Sequence, residues 1–153
     1  TFAGMGFGNA GVHVPHAVAY PIAGMVRAYV PRGYAGVAEA LVPHGQSVIV
    51  TAPATFDFTY PTGPERHLRA AQLLGASLTG VTEANGRNLL PETILRIVQD
   101  TGGPVGVSAF GYGEADVGGL IEGTLKQERL LSGCPREVGQ PELERIVRAS
   151  LRH

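Results

Sequence analysis

Residues 3–22, Ala3 to Ile22, read AGMGFGNAGVHVPHAVAYPI, and the rest of the chain is arranged around how this stretch folds. Successive residues of a helix turn by about 100°, so side chains three and four apart look the same way. His13, His16 and Tyr20 sit at that spacing, which predicts one long helix carrying all three on one face. Gly4, Gly6, Gly8 and Gly11 each cost a helix interior about 1 kcal/mol against Ala. Such density fits either close packing of a neighbouring backbone or the wall of a ligand site. Pro15 cannot donate to the carbonyl of Gly11, which predicts a kink or a restart just before His16. Pro21 ends the segment or bends it again.

A second stretch, Leu41 to Val48 (LVPHGQSV), brings another histidine, His44. Neutral imidazole is the commonest protein ligand for a transition metal, and helical bundles assemble metal sites from facing segments. Two readings follow from these residues alone. In one, an imidazole from the first stretch meets His44 around an ion. In the other, the histidines bond carbonyls or face water in a Gly-rich core helix.

Working outward, Ala23 to Leu41 lacks a clean period and reads as a connection with a helical turn near Val37 to Leu41. Pro43 suits the first position of a helix, so His44 is expected in the first turn of a helix reaching about Phe56. Pro53 kinks that helix or ends it early. The run SVIVTAP has strand-like β-branched residues, but Val48, Thr51, Ala52 and Thr55 repeat at three and four and favour helix. Asp57 to Gly63 reads as a loop.

GPERHLRAAQLLG carries helix punctuation, with Pro64 at the start, Glu65 in the first turn, Leu68, Ala71 and Leu74 along one side and Gly75 as stop. Arg66 and His67 read as its solvated face. After a polar connection from Ser77 to Gly86, a helix is expected over about Leu90 to Asp100, with Leu90, Ile94, Ile97 and Val98 inward and TGGP beyond it. Val105 to Ala109 is short enough to be a strand, but Gly106 and the lack of a partner run favour a buried loop. A further helix ends near Leu125, a turn-rich segment follows, and Pro141 opens the last helix on a stripe of Leu143, Ile146, Val147 and Leu151. Five or six helices without a convincing strand pair predict an all-α domain spanning residues 1–153.

Composition narrows the function. A chain of 153 residues is the size of one domain and can bury about two thirds of its unfolded surface. Net charge is -1, with no basic stripe to attract nucleic acid or an anionic membrane. Charged residues are 16% against an average of about 25%, so much of the surface needs covering by something else. The apolar opening is not a membrane span, because it would bury Asn9, His13 and His16 in lipid, and it lacks the basic start of a signal peptide. The chain opens on Thr rather than Met, and the expectation is a part missing upstream. One cysteine, Cys134, excludes an internal disulfide and a Cys-based zinc site; no histidine is near it in sequence to make it a nucleophile. No strand precedes AGMGFGNAG to make a dinucleotide loop, and G-x-x-x-x-G-K-[ST], H-E-x-x-H and G-x-S-x-G are absent.

The pairing of AGMGFGNAGVHVPHAVAYPIAG with LVPHG resembles the iron-containing alcohol dehydrogenase family, in its hydroxyacid-oxoacid transhydrogenase branch. PERHLRAAQLLGA, GYGEADVGGLIEGTLKQERLL and the PR before the last helix fall in the family's order. The resemblance implies the C-terminal helical domain of the dehydroquinate synthase-like fold, truncated at its N-terminal side. The nucleotide-binding domain that holds NAD is then absent from this chain. Four protein ligands hold the family's divalent metal, iron most often and zinc in some members: an Asp and a His upstream, one His in the Gly-rich helix and one in the P-H-G turn. The last two match His16 and His44. Most alcohol dehydrogenases of the family carry a second histidine where Tyr20 stands here; the transhydrogenase branch has Tyr there and a histidine matching His13. Tyr20 and His13 are therefore assigned substrate-side roles. Pro15 departs from the commoner family pattern and puts the local helix geometry in question.

The implied parent interconverts a small hydroxy acid or alcohol, 4-hydroxybutyrate-like, with its aldehyde, possible coupling being to reduction of a 2-oxo acid. This part alone is expected to be inactive and can be metal-free. Its expected partners are the missing nucleotide-binding domain, a small hydroxy or oxo acid and a second copy of itself, with no nucleic acid and no membrane. The compartment is the cytoplasm in a bacterium or the mitochondrial matrix in a eukaryote. The alternative is a non-catalytic all-α interaction module with structural histidines.

Overall fold

A computed structural model describes residues 2–34 and 36–153, and among them every regular element is helical. The helices are α1 (Phe2–Ala10), α2 (Val14–Gly24), α3 (His44–Ile49), α4 (Ala52–Thr59), α5 (Pro64–Leu73), α6 (Leu89–Asp100), α7 (Val117–Leu125), α8 (Glu128–Leu131) and α9 (Gln140–Ala149). Short 3-10 turns cover Tyr60–Thr62, Val107–Phe110 and Glu114–Asp116.

The opening stretch is two helices rather than one. α1 stops at Ala10, Gly11 takes φ +76°, and α2 restarts at Val14 with Pro15 in its first turn. The restart falls earlier than expected because Pro15 needs no helical N–H partner only if it sits in a first turn. His13 thereby becomes the N-cap residue of α2, and its carbonyl accepts from the N–H groups of His16 and Ala17 at 2.9 and 3.1 Å.

The same logic divides the next pair. The helix expected from His44 to about Phe56 breaks after Ile49, and Pro53 stands in the first turn of α4. α4 runs to Thr59 and continues as a 3-10 turn to Thr62, so the loop expected from Asp57 to Gly63 is helical up to its last residue. The turn expected near Val37 to Leu41 is not helical in the described residues; Leu41 instead donates its N–H to the carbonyl of Tyr29 at 2.8 Å. Val107–Phe110 forms no strand, and the Val107 and Ser108 N–H groups bond the carbonyls of Ser150 and Leu151.

α2 is the central element, lying between α3 and α7, while α7 packs on α9 and α4 on α6 and α9. Its Val14, Val18 and Ile22 are fully buried with Leu120, Ile121, Leu143 and Val147. A smaller cluster joins Ala71 to Leu90, Ile94 and Val98, and Ile49 packs against both. Leu74 and Ile97, expected inward, lie on the surface. Leu74 is the residue after the last turn of α5, where Gly75 at φ +94° turns the chain away. The Ala76 and Gly75 N–H groups bond the carbonyls of Ala71 and Gln72, both at 3.0 Å, closing the helix as a Schellman motif.

Two contacts fix α2. Tyr112 donates its hydroxyl proton to the Ile22 carbonyl at 2.6 Å, satisfying a helix-end acceptor in the core. A Cβ at Gly123 would come within 2.6 Å of Pro21 Cβ, so only glycine lets α7 approach α2 this closely. α1 contrasts with all of this. It buries none of its residues, and Phe2, Met5 and Phe7 are exposed.

Candidate metal centre

α2 and α3 pack with their starts side by side, bringing His16 of the first turn of α2 to His44, the first residue of α3. The two imidazole centroids are 5.4 Å apart with their planes at 59°. His16 is half-buried and His44 exposed, so the pair opens to the surface. α3 is held by Ser47, fully buried, whose hydroxyl donates to the His44 carbonyl at 2.8 Å. Pro43 lies in extended conformation as its N-cap, one position before the place expected for it.

Burial lowers the pKa of His16, and the neighbouring His44 lowers it further, because two imidazolium charges at this separation repel. Burial, then His16 and then His67, lower the pKa of His13. Both rings are held toward the neutral form, which has the free lone pair a metal needs. The Nδ1 atom of His13 is buried without a hydrogen-bond partner.

Tyr20 lies one turn beyond His16 on α2 and is 55% exposed. Phe56 of α4 stands edge-on to His13, with centroids 6.4 Å apart, and edge-on to His67 at 6.0 Å. His67 is not on the solvated face expected for it. It is half-buried, its Nδ1 lies 2.8 Å from the Gly63 carbonyl, and its Nε2 lies 3.0 Å from the Thr59 hydroxyl. Since a carbonyl only accepts, Nδ1 carries a proton, and Nε2 shares a hydrogen bond with the Thr59 hydroxyl. Nothing in the sequence marks this role, which depends on the chain folding back between α4 and α5. Arg66, its neighbour, is exposed as expected.

The donor set suits half of a metal shell. Two imidazoles of matched chemistry converge, yet no group of three or more His, Cys, Asp or Glu able to hold an ion occurs among the described residues. Cys134 lies elsewhere, half-buried against the main core, and burial pushes its thiol pKa up, away from nucleophilic use. No described helix is long and apolar enough to cross a membrane.

Comparison with known proteins agrees in sequence and in fold. The family described as Fe-containing alcohol dehydrogenase, C-terminal, matches residues 1–151. The probable mitochondrial hydroxyacid-oxoacid transhydrogenase of Dictyostelium discoideum is 41% identical over 151 residues, covering 99% of this chain and 28% of that protein. The mitochondrial hydroxyacid-oxoacid transhydrogenase of Bos taurus is 42% identical, covering 99% of this chain and 32% of that protein. A crystal structure of 1,3-propanediol oxidoreductase superposes with a TM-score of 0.80 at 26% identity, over 97% of this chain and 35% of that one. The alcohol dehydrogenase from Oenococcus oeni has the same fold, with a TM-score of 0.79 at 22% identity over 97% of this chain and 35% of its own. The chain thus spans about a third of the length of its relatives.

Proposed function

This chain belongs to the iron-containing alcohol dehydrogenase family, and we propose that it forms the helical, metal-holding part of an NAD-linked oxidoreductase. The reaction is hydride exchange between a small hydroxy acid, 4-hydroxybutyrate-like, and an oxo acid. The observation that carries this reading is the 5.4 Å approach of His16 and His44.

When bound, a divalent ion, iron or zinc, polarises the alcohol or carbonyl oxygen, and the nicotinamide carries the hydride. The protein's own residues do the rest. His16 and His44 present ring nitrogens on the starts of two packed helices. Tyr20 offers a phenol one turn away. A phenol hydroxyl can donate a hydrogen bond to a substrate oxygen. His13 shapes the same side, with the Phe56 ring edge-on to it.

Two imidazoles are half of the family's ligand set, and a catalytic metal site has at least three protein ligands. The other ligands and the nucleotide-binding domain therefore belong to sequence outside these 153 residues, which are inactive alone. The exposed apolar residues of α1, Phe2, Met5 and Phe7, suit cover by that domain or by a second copy of the protein. The compartment is the mitochondrial matrix in a eukaryotic source, in keeping with relatives named as mitochondrial, and the cytoplasm in a bacterial one.

The test is product analysis with full-length protein, 4-hydroxybutyrate and a 2-oxo acid, since a tightly held cofactor hides turnover from absorbance. Formation of the semialdehyde and the 2-hydroxy acid, lost in His16→Ala and His44→Ala, supports the reading. Turnover unaffected by both substitutions, or turnover by residues 1–153 alone, contradicts it.

A further inference from the structure

α4 is a wall with two sides. Phe56 faces the histidines, while Asp57 and Phe58 line a separate cleft of about 550 Å³ between α4, the start of α6 and α9. Consecutive helical residues diverge by about 100°, which is how one helix serves both. The floor of the cleft is apolar, built from Phe58, Leu95 and Ile146, and its rim carries Arg87, Arg136 and Arg145.

Two of these guanidinium groups already have carboxylate partners. Arg87 donates two bonds to Asp57, at 2.5 and 3.0 Å, and Arg145 donates to Glu142 at 3.1 Å. Arg136 differs. It reaches across from the segment before α9, lies 4.4 Å over the Phe58 ring and donates Nη1–H to the Phe58 carbonyl at 2.8 Å. No carboxylate pairs with it among the described residues. Those two contacts hold the guanidinium in place while using one of its five N–H donors. A planar, oriented and uncompensated fork is suited to a carboxylate in a way a flexible ammonium is not.

We propose that this cleft binds an organic monocarboxylate with an apolar body, the carboxylate on Arg136 and the body over Phe58, Leu95 and Ile146. The charge balance selects a monoanion, since one of the three cations is unpaired. The floor selects an apolar body, because inorganic phosphate has nothing to bury there. The site is independent of the histidine pair and of the function proposed for it.

Calorimetric titration of the full-length protein with octanoate tests the assignment, with octanol and inorganic phosphate as probes of charge and of apolar body. Saturable octanoate binding, about one per chain, is expected. Arg136→Gln is expected to weaken it at least about tenfold, as befits loss of a charge-assisted pair. Ala149→Phe fills the cleft from an exposed position of α9 while keeping Arg136, and should weaken it equally, so the answer does not depend on Arg136→Gln folding. Absence of saturable octanoate binding overturns the proposal. So does octanol binding as tightly, phosphate binding in place of octanoate, or octanoate binding that neither variant weakens.

Discussion

The ring of His16, in the first turn of α2, lies 5.4 Å from the ring of His44, the first residue of α3, although the long connection after α2 separates them in sequence. That approach exists because α2 and α3 pack with their starts together. Anything that shifts α2 shifts the pair.

Gly123→Ala is the direct probe of that dependence. The added methyl would sit 2.6 Å from Pro21 Cβ, so α7 must move off α2 or Pro21 must yield. A loss of about 1–3 kcal/mol is expected, the usual cost of overpacking. Denaturant unfolding measures the loss, and metal affinity of the full-length protein should fall with it. Unchanged stability would show that the two helices are not in close contact there.

Core and surface leucines should separate cleanly. Leu143 is fully buried between α7 and α9, whereas Leu73 is 70% exposed at the end of α5. Leu143→Ala should cost about 3 kcal/mol, lowering the thermal midpoint by about 6–12 °C in a domain of this size. Leu73→Ala should stay within about 0.5 kcal/mol of wild type. Similar losses at the two positions would contradict the packing described.

The lowered pKa values of His13 and His16 predict acid sensitivity of the metal-free protein. A histidine whose folded pKa lies below its unfolded value binds fewer protons folded than unfolded in the window between the two. Stability is then fully present above the unfolded value, about 6.5. It falls as pH drops through that value toward the depressed folded one. Thermal midpoints measured downward from pH 7.5 in chelator should decline, and His13→Gln should flatten the decline. A midpoint that rises on acidification would contradict the burial of these rings.

Tyr20→Phe isolates the phenol. Metal content should be unchanged, because Tyr20 holds no ligand position in the proposed site. The ratio kcat/KM with hydroxy acid should fall by about tenfold, the worth of one hydrogen bond to a substrate oxygen. Full activity in this variant would remove Tyr20 from the substrate side.

Much of the fold is legible in the sequence because its helices are heavily punctuated. Pro64 and Gly75 bound α5, and the TGGP break closes α6, where the Gly103 N–H bonds the Val98 carbonyl at 2.8 Å. The prolines at positions 15 and 53 are ambiguous in sequence. Both are compatible with a kink inside a helix or with the first turn of a new one, and the structure takes the second course each time. His16 and His44 are legible through the resemblance of AGMGFGNAGVHVPHAVAYPIAG and LVPHG to the family, and in the structure each follows a proline at the start of its helix. His67 is not legible, since its hydrogen bonds and burial come from Thr59, Gly63 and Phe56, partners that only the turn between α4 and α5 assembles.

Metal content of the full-length protein tests the central claim most directly. After reconstitution with ferrous iron or zinc and removal of excess, wild type and Tyr20→Phe should each retain about one ion per chain. His16→Ala and His44→Ala should each bind more than about 100-fold more weakly, because even outer-shell partners of a metal cost 10–100-fold on mutation. Retention of the ion at wild-type affinity by both histidine variants would contradict the account.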